Sequence, residues 1–66
     1  MLEPYSTWEH VKTGSYYTVI GEAGGSTNGE EDREYVVYLS HKYQKLRVRL
    51  KSEFLDGRFR RLPCAV

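Results

Sequence analysis

The sequence predicts an all-β fold, a small SH3-like barrel of about five antiparallel strands with one short helical turn before the last strand. Three observations carry that prediction. Residues 34–39 (Glu-Tyr-Val-Val-Tyr-Leu) and 46–50 (Leu-Arg-Val-Arg-Leu) both alternate with period two on either side of a short connection, as paired antiparallel strands do. Tyr16, Tyr17, Thr18, Val19 and Ile20 form a second dense run of aromatic and β-branched residues. Turn-forming residues punctuate the chain at short intervals, and no window has the apolar period of an amphipathic helix. A five-stranded OB-like barrel is the main competitor.

Residues 1–66 fit a single domain, and its elements follow in order. Residues 1–6 contain Pro4 and no periodicity, which predicts a loose N-terminal arm from which Tyr5 can dock. Residues 7–12 alternate as a first strand, with Trp8 and His10 on one side and Glu9 and Val11 on the other. Gly14 then supplies a tight connection that tolerates positive φ. The second strand covers residues 15–23, and a bulge near Gly21 would let it bend. Residues 24–32 (Gly-Gly-Ser-Thr-Asn-Gly-Glu-Glu-Asp) bury nothing apolar and predict a mobile acidic loop. Strands three and four then pair Leu39 with Leu46, Val37 with Val48 and Tyr35 with Leu50, on the face expected to form the core. The same register sets Tyr38 beside Arg47, Val36 beside Arg49 and Glu34 beside Lys51. Ser52 is a capping residue for a single helical turn that tucks Phe54 under the barrel. Asp56-Gly57 turns the chain into a last short strand with Phe59 inward and Arg58 and Arg60 outward, and Pro63 ends regular pairing.

Composition excludes several classes of function. At 66 residues, folding hides only about 60% of the surface of the extended chain, so stability depends on dense packing or self-association. The single Cys64 has no disulfide partner, and with only His10 and His41 beside it no zinc-site spacing exists. No cofactor or metal is expected. A lone thiol and the absence of a signal-like apolar run point to a cytoplasmic chain, and no stretch is long and apolar enough for a membrane span. Formal net charge is +1. It is unevenly divided: residues 1–40 set Lys12 and Arg33 against seven carboxylates, a net of −5, and residues 41–66 set eight cations against Glu53 and Asp56, a net of +6. In so small a domain the opposite halves are expected to pair with one another, ahead of forming a nucleic-acid footprint.

The runs Trp8-x-His10-x-Lys12-x-Gly14, Tyr17-x-Val19-x-Gly21-x-Ala23, Glu34-x-Val36-Val37-Tyr38, Leu46-x-Val48-Arg49 and Glu53-x-Leu55 span most of residues 8–55. In order and spacing they resemble a domain-of-unknown-function family of short bacterial and phage proteins. Trp8 stands where that family usually has tyrosine, Arg47 where it has tryptophan, and Leu50 where proline is common. The resemblance implies a small β-barrel and no known activity.

Catalysis is not expected. No Ser, Cys or carboxylate is spaced with His10 or His41 as a triad or metal site, and Cys64 lies where a nucleophile would be hard to hold. Residues 21–25 are glycine-rich but lack the Lys-Ser/Thr ending of a phosphate loop. Candidate binding residues are Tyr38, Arg47 and Arg49 on the outward face of the hairpin, Lys42 and Tyr43 at its tip, and Trp8 and His10 on the first strand. Aromatics interleaved with cations suit stacking and charge neutralisation. The bland alternative is that the arginines lie against Tyr38, Glu34 and the acidic loop and only solvate the sheet, with His10 a structural residue. The expected function is a non-catalytic protein-interaction or regulatory module of bacterial or phage origin, its partner another protein or a second copy of itself. A nucleic-acid-binding barrel using the basic C-terminal half is the alternative.

Overall fold

The third and fourth strands pair in the predicted register: Tyr35 with Leu50, Val36 with Arg49, Val37 with Val48, Tyr38 with Arg47 and Leu39 with Leu46. These contacts come from a computed structural model that describes residues 2–29 and 31–63. Cys64 lies outside the described residues. The elements run β1 (Thr7–His10), β2 (Tyr16–Gly24), β3 (Glu34–Ser40), β4 (Lys45–Leu50), α1 (Lys51–Phe54) and β5 (Phe59–Arg61). They form one antiparallel sheet in the order β4-β3-β2-β1-β5, so the expected small all-β barrel-like fold is present. Because β1 pairs with both β2 and β5, the last strand returns beside the first. Phe59 of β5 then stacks on Phe54 of α1, with centroids 4.3 Å apart and planes 13° from parallel.

Local chemistry explains the connections. Gly14, at φ 74°, lets its N–H reach the His10 carbonyl at 2.7 Å and closes the β1–β2 turn. Gly57, at φ 105°, follows Asp56, whose Oδ1 accepts from the Arg58 N–H at 3.2 Å, and this turn launches β5. Between Val19 and Gly21 the β2–β3 register shifts by one, leaving Ile20 as the extra residue of a bulge.

An aromatic cluster fills the concave side. Val19, Val36, Tyr38, Phe54, Phe59 and Leu2 are buried, with Trp8 and Tyr17 packed against them. Trp8 meets Phe54 edge-on at 5.0 Å, Tyr17 meets Tyr38 at 5.3 Å, and Tyr38 touches both Phe54 and Phe59. Each such ring pair adds about 0.5–1.5 kcal/mol beyond the area it buries. Five large rings thereby build a core from few residues.

Three expectations are corrected. The register is right but the faces are exchanged: Val36, Tyr38 and Ser40 point into the core, and Leu46 and Val48, expected inside, are each 60% exposed. Strand β3 is apolar on both faces, so its alternation does not choose a side. The rings of Trp8, Tyr17, Phe54 and Phe59 choose it, because only Tyr38 completes their packing. Residues 2–6 are also tied to the body: Leu2 is 7% exposed within the core, and Tyr5 N and Ser6 O bond the backbone of Val19 at 2.6 and 2.9 Å. The anchor is Leu2, while Tyr5 faces solvent. Finally, α1 starts at Lys51 with no side-chain cap, so Ser52 lies inside the turn it was expected to cap.

Candidate functional site

The seven candidate binding residues fall into two groups. Trp8, His10, Tyr38 and Arg49 belong to the concave aromatic cluster or its rim. Trp8 Nε1 donates to Ser6 Oγ at 3.0 Å, and the His10 ring meets Phe59 edge-on at 5.0 Å with Nδ1 3.1 Å from Thr13 Oγ1. Tyr38 is only 4% exposed and presents no ring to solvent. Arg49 lies across the open side of the barrel, its guanidinium 5.6 Å from the Phe59 ring centre and 3.5 Å from Glu53 Oε1. Hydrogen bonding to Tyr38 is the main cause that raises the Arg49 pKa above its ordinary value, with Glu53 and Asp56 adding to it and desolvation opposing it.

Lys42 and Tyr43 lie at the hairpin tip, and Arg47 stands between the two groups, on the concave side opposite Tyr38. Lys42 Nζ lies 5.3 Å from the centre of the exposed Tyr43 ring at the hairpin tip. The tip is held by Ser40, whose Oγ accepts from Tyr43 N at 3.2 Å and whose carbonyl accepts from Gln44 N at 2.9 Å. Arg47 is exposed on β4 and makes no ion pair among the described residues. The tip and Arg49 are about four residues apart along β4, roughly 13 Å, so these seven side chains do not converge on one point.

A cleft of about 500 Å³ opens beside Arg49, lined by His10, Val11, Lys12, Gly57 and Arg58. Its arginines are already engaged, Arg49 with Glu53 and Arg58 with Asp56 at 3.1 Å and Glu53 at 3.7 Å. Internal pairing of the charged halves is also visible elsewhere. Glu9 holds Arg60, Glu3 holds Arg61 at 3.0 Å, and Lys51 sits 2.8 Å from Glu22 and 3.9 Å from Glu34. Glu22 is held below the ordinary carboxylate range by its hydrogen bond from Lys51 and then by the Leu2 N–H, and Lys51 is raised in return by Glu22.

The feature that sequence reasoning placed inside is on the surface. Three successive cross-strand pairs, Tyr35–Leu50, Val37–Val48 and Leu39–Leu46, make an apolar strip on the convex face, continued across β2 by Ala23, Gly21 and Thr18. A Cβ added at Gly21 would meet nothing within 4 Å, so the floor beside Val37 is open. The strip lies on the face of the sheet opposite the aromatic core, with Leu46 and Val48 its most exposed members and the His41 ring at its Thr18 corner, Nε2 2.7 Å from Thr18 Oγ1. The signal that could have revealed it is the aromatic count: five rings on β1, β2, α1, β5 and β3 fill a small concave side and leave no room for the Leu and Val row.

No protein-family model matches the chain, no curated protein is significantly similar to it, and no solved structure matches it. Among the described residues no group of three or more His, Cys, Asp or Glu could hold a metal ion, and no helix is long and apolar enough to cross a membrane.

Proposed function

We propose that this domain is a non-catalytic binding module that engages a protein surface through the convex face of β3 and β4. One observation carries the reading: Leu46 and Val48 stand 60% exposed in a row of apolar pairs on a hydrogen-bonded sheet, where backbone ordering is already in place before binding. Contiguous apolar patches of a few hundred Å² on small domains mark interaction sites. The resemblance to short bacterial and phage proteins fits a small regulator of this kind in the cytoplasm. The nucleic-acid alternative has less support, since Tyr38 is unavailable for base stacking and Arg49 is engaged by Glu53.

Affinity capture from the native source, with and without nuclease, tests the proposal. Capture that survives nuclease and is lost on Val48→Asp supports it. Capture that vanishes with nuclease, together with oligonucleotide binding that weakens steeply between two salt concentrations, would replace it with the nucleic-acid reading.

A further inference from the structure

We infer that the cleft beside Arg49 binds a phosphate monoester, at a site separate from the convex strip and independent of that strip's reading as a docking face. Strands β4 and β5 are the two outer strands of the sheet, with no ladder between them. The Phe59 ring joins the two sides: His10 meets it edge-on at 5.0 Å, and the Arg49 guanidinium lies 5.6 Å from its centre. Val11 N donates to Arg58 O at 3.0 Å and fixes the residue after β1 beside the turn into β5. The gap of about 500 Å³ is thus walled by three separate segments, residues 10–12, Arg49 and residues 57–58.

Charge and donor geometry point to the class of ligand. Lys12, Arg49 and Arg58 line the gap and no carboxylate does. Lys12 makes no ion pair among the described residues, and the His10 nitrogen held by Thr13 is Nδ1, which leaves Nε2 without a hydrogen-bond partner among them. Glu53 Oε1 stands between the two arginines, 3.5 Å from Arg49 Nη1 and 3.7 Å from Arg58 Nη1. Both contacts exceed the roughly 2.7–2.9 Å of a charge-assisted hydrogen bond, so this carboxylate screens the guanidiniums without closing on their N–H groups. Asp56 reaches only the Nε of Arg58, at 3.1 Å. Three cations against these two carboxylates leave positive charge in excess at the gap.

A ligand carboxylate is satisfied by one guanidinium fork, whereas cations converging from three segments suit a group with three charged oxygens. The gap is also larger than a phosphate group needs, and Val11 and Gly57 give the remainder an uncharged wall, so the phosphate carries an organic substituent. Gly57 adds no side chain to narrow the entrance, and a Cβ placed there would meet nothing within 4 Å.

Titration of the full chain with phenyl phosphate at fixed ionic strength, followed by amide chemical shifts, tests the inference, with circular dichroism confirming that each variant folds. The expected result is saturable one-to-one binding with shifts concentrated at residues 10–12, 49 and 57–58 and with benzoate bound at least ~10-fold more weakly. Lys12→Gln with Arg58→Gln should raise the dissociation constant at least ~10-fold. Lys42→Gln with Lys45→Gln removes the same charge from the hairpin tip and should change it less than ~2-fold. Glu53→Gln should tighten binding several-fold, because the internal carboxylate no longer competes for the arginines. Adenosine monophosphate binding more tightly than a phosphoserine peptide would assign the ester to a free nucleotide, and the reverse order to a modified partner protein. Shifts that stay linear into roughly tens of millimolar, an adventitious ion only, would overturn the inference. So would benzoate binding as tightly as phenyl phosphate, equal losses in the two double variants, or weaker binding by Glu53→Gln.

Discussion

The two faces of the β3–β4 hairpin divide their apolar side chains unevenly, and the face with fewer of them, Val36 and Tyr38 against the convex row of Tyr35, Val37, Leu39, Leu46, Val48 and Leu50, is the one that is buried. On the concave face Val36 and Tyr38 meet Val19, Phe54 and Phe59, and Arg49 lays its guanidinium over the Phe59 ring. On the convex face Val37 pairs with Val48 and Leu39 with Leu46, beside the small residues Gly21 and Thr18 of β2. Ring volume decides between them: a domain of 66 residues closes its core with aromatics, and an edge-strand arginine whose stem can lie along apolar surface is compatible with that interior in a way a row of leucines is not required to be. Apolarity of a strand face is therefore a poor guide to burial when the opposite face carries the larger rings.

Substitutions on either face make this contrast measurable. The largest effect is expected for Phe54→Ala, which removes a fully buried ring and should cost about 3–5 kcal/mol in urea denaturation. A domain of this length holds only roughly 3–10 kcal/mol in total, so much of that variant should be unfolded in water. Val48→Ala should by contrast cost less than about 1 kcal/mol at low protein concentration, and comparable losses at the two positions would erase the distinction between the faces. Next comes Leu2→Ala, expected near 2 kcal/mol because Leu2 is part of the core; a silent substitution would return residues 2–6 to the status of a loose arm.

A smaller effect is expected for Arg49→Met. It should destabilise by about 0.5–1 kcal/mol, and combining it with Tyr38→Phe should cost less than the two separate losses together, since both remove the same contact. Strict additivity in that double-mutant cycle would mean that the Tyr38 hydroxyl does not couple to Arg49, leaving the Phe59 ring and Glu53 as its partners. The smallest effect concerns pH. Glu22 has its folded pKa depressed below 4.5, so its contribution is present above the unfolded value and is lost as pH falls through the folded one. Lys51 is raised above 10.5, so its share is full below that value and is lost as pH rises through the folded one. Thermal melts of Glu22→Gln should accordingly fall less steeply below about pH 4.5 than those of the parent, and an unchanged acid limb would remove the pair from the account.

Strand identity and register were legible because they depend on neighbours in sequence. Val37 opposite Val48 and Glu34 near Lys51 follow from alternation and from the length of the turn between the strands. The buried face was not legible, because Tyr35, Val37 and Leu39 compete with Val36 and Tyr38 on nearly equal terms within the strand itself. What settles that competition is contributed from afar, by Trp8, Tyr17, Phe54 and Phe59. Leu2 was missed for a related reason: a single apolar residue in an aperiodic segment gives no pattern, yet it fills a gap in the core, and its N–H lies 3.4 Å from Glu22. The Lys42–Tyr43 contact at the tip follows from adjacency, whereas the engagement of Arg49 by Glu53 and Phe59 depends on how α1 folds back.

The bulge at Ile20 works as a change of phase in β2. Before it the odd positions Tyr17 and Val19 align with the concave rows of β3; after it the even position Glu22 aligns with Val36, and Gly21 and Ala23 align with the convex rows. One inserted residue thus delivers Glu22 to Lys51 and Leu2 while leaving small residues beside Val37 on the open side. Were Ile20 instead paired with Val37 and the bulge lost, Gly21 and Ala23 would move to the concave rows and Glu22 would turn outward away from Lys51, whereas deleting Ile20 would leave all three on their present faces. The phase of β2 is therefore set in the middle of the strand, by how the backbone accommodates a side chain that makes no contribution to the core itself.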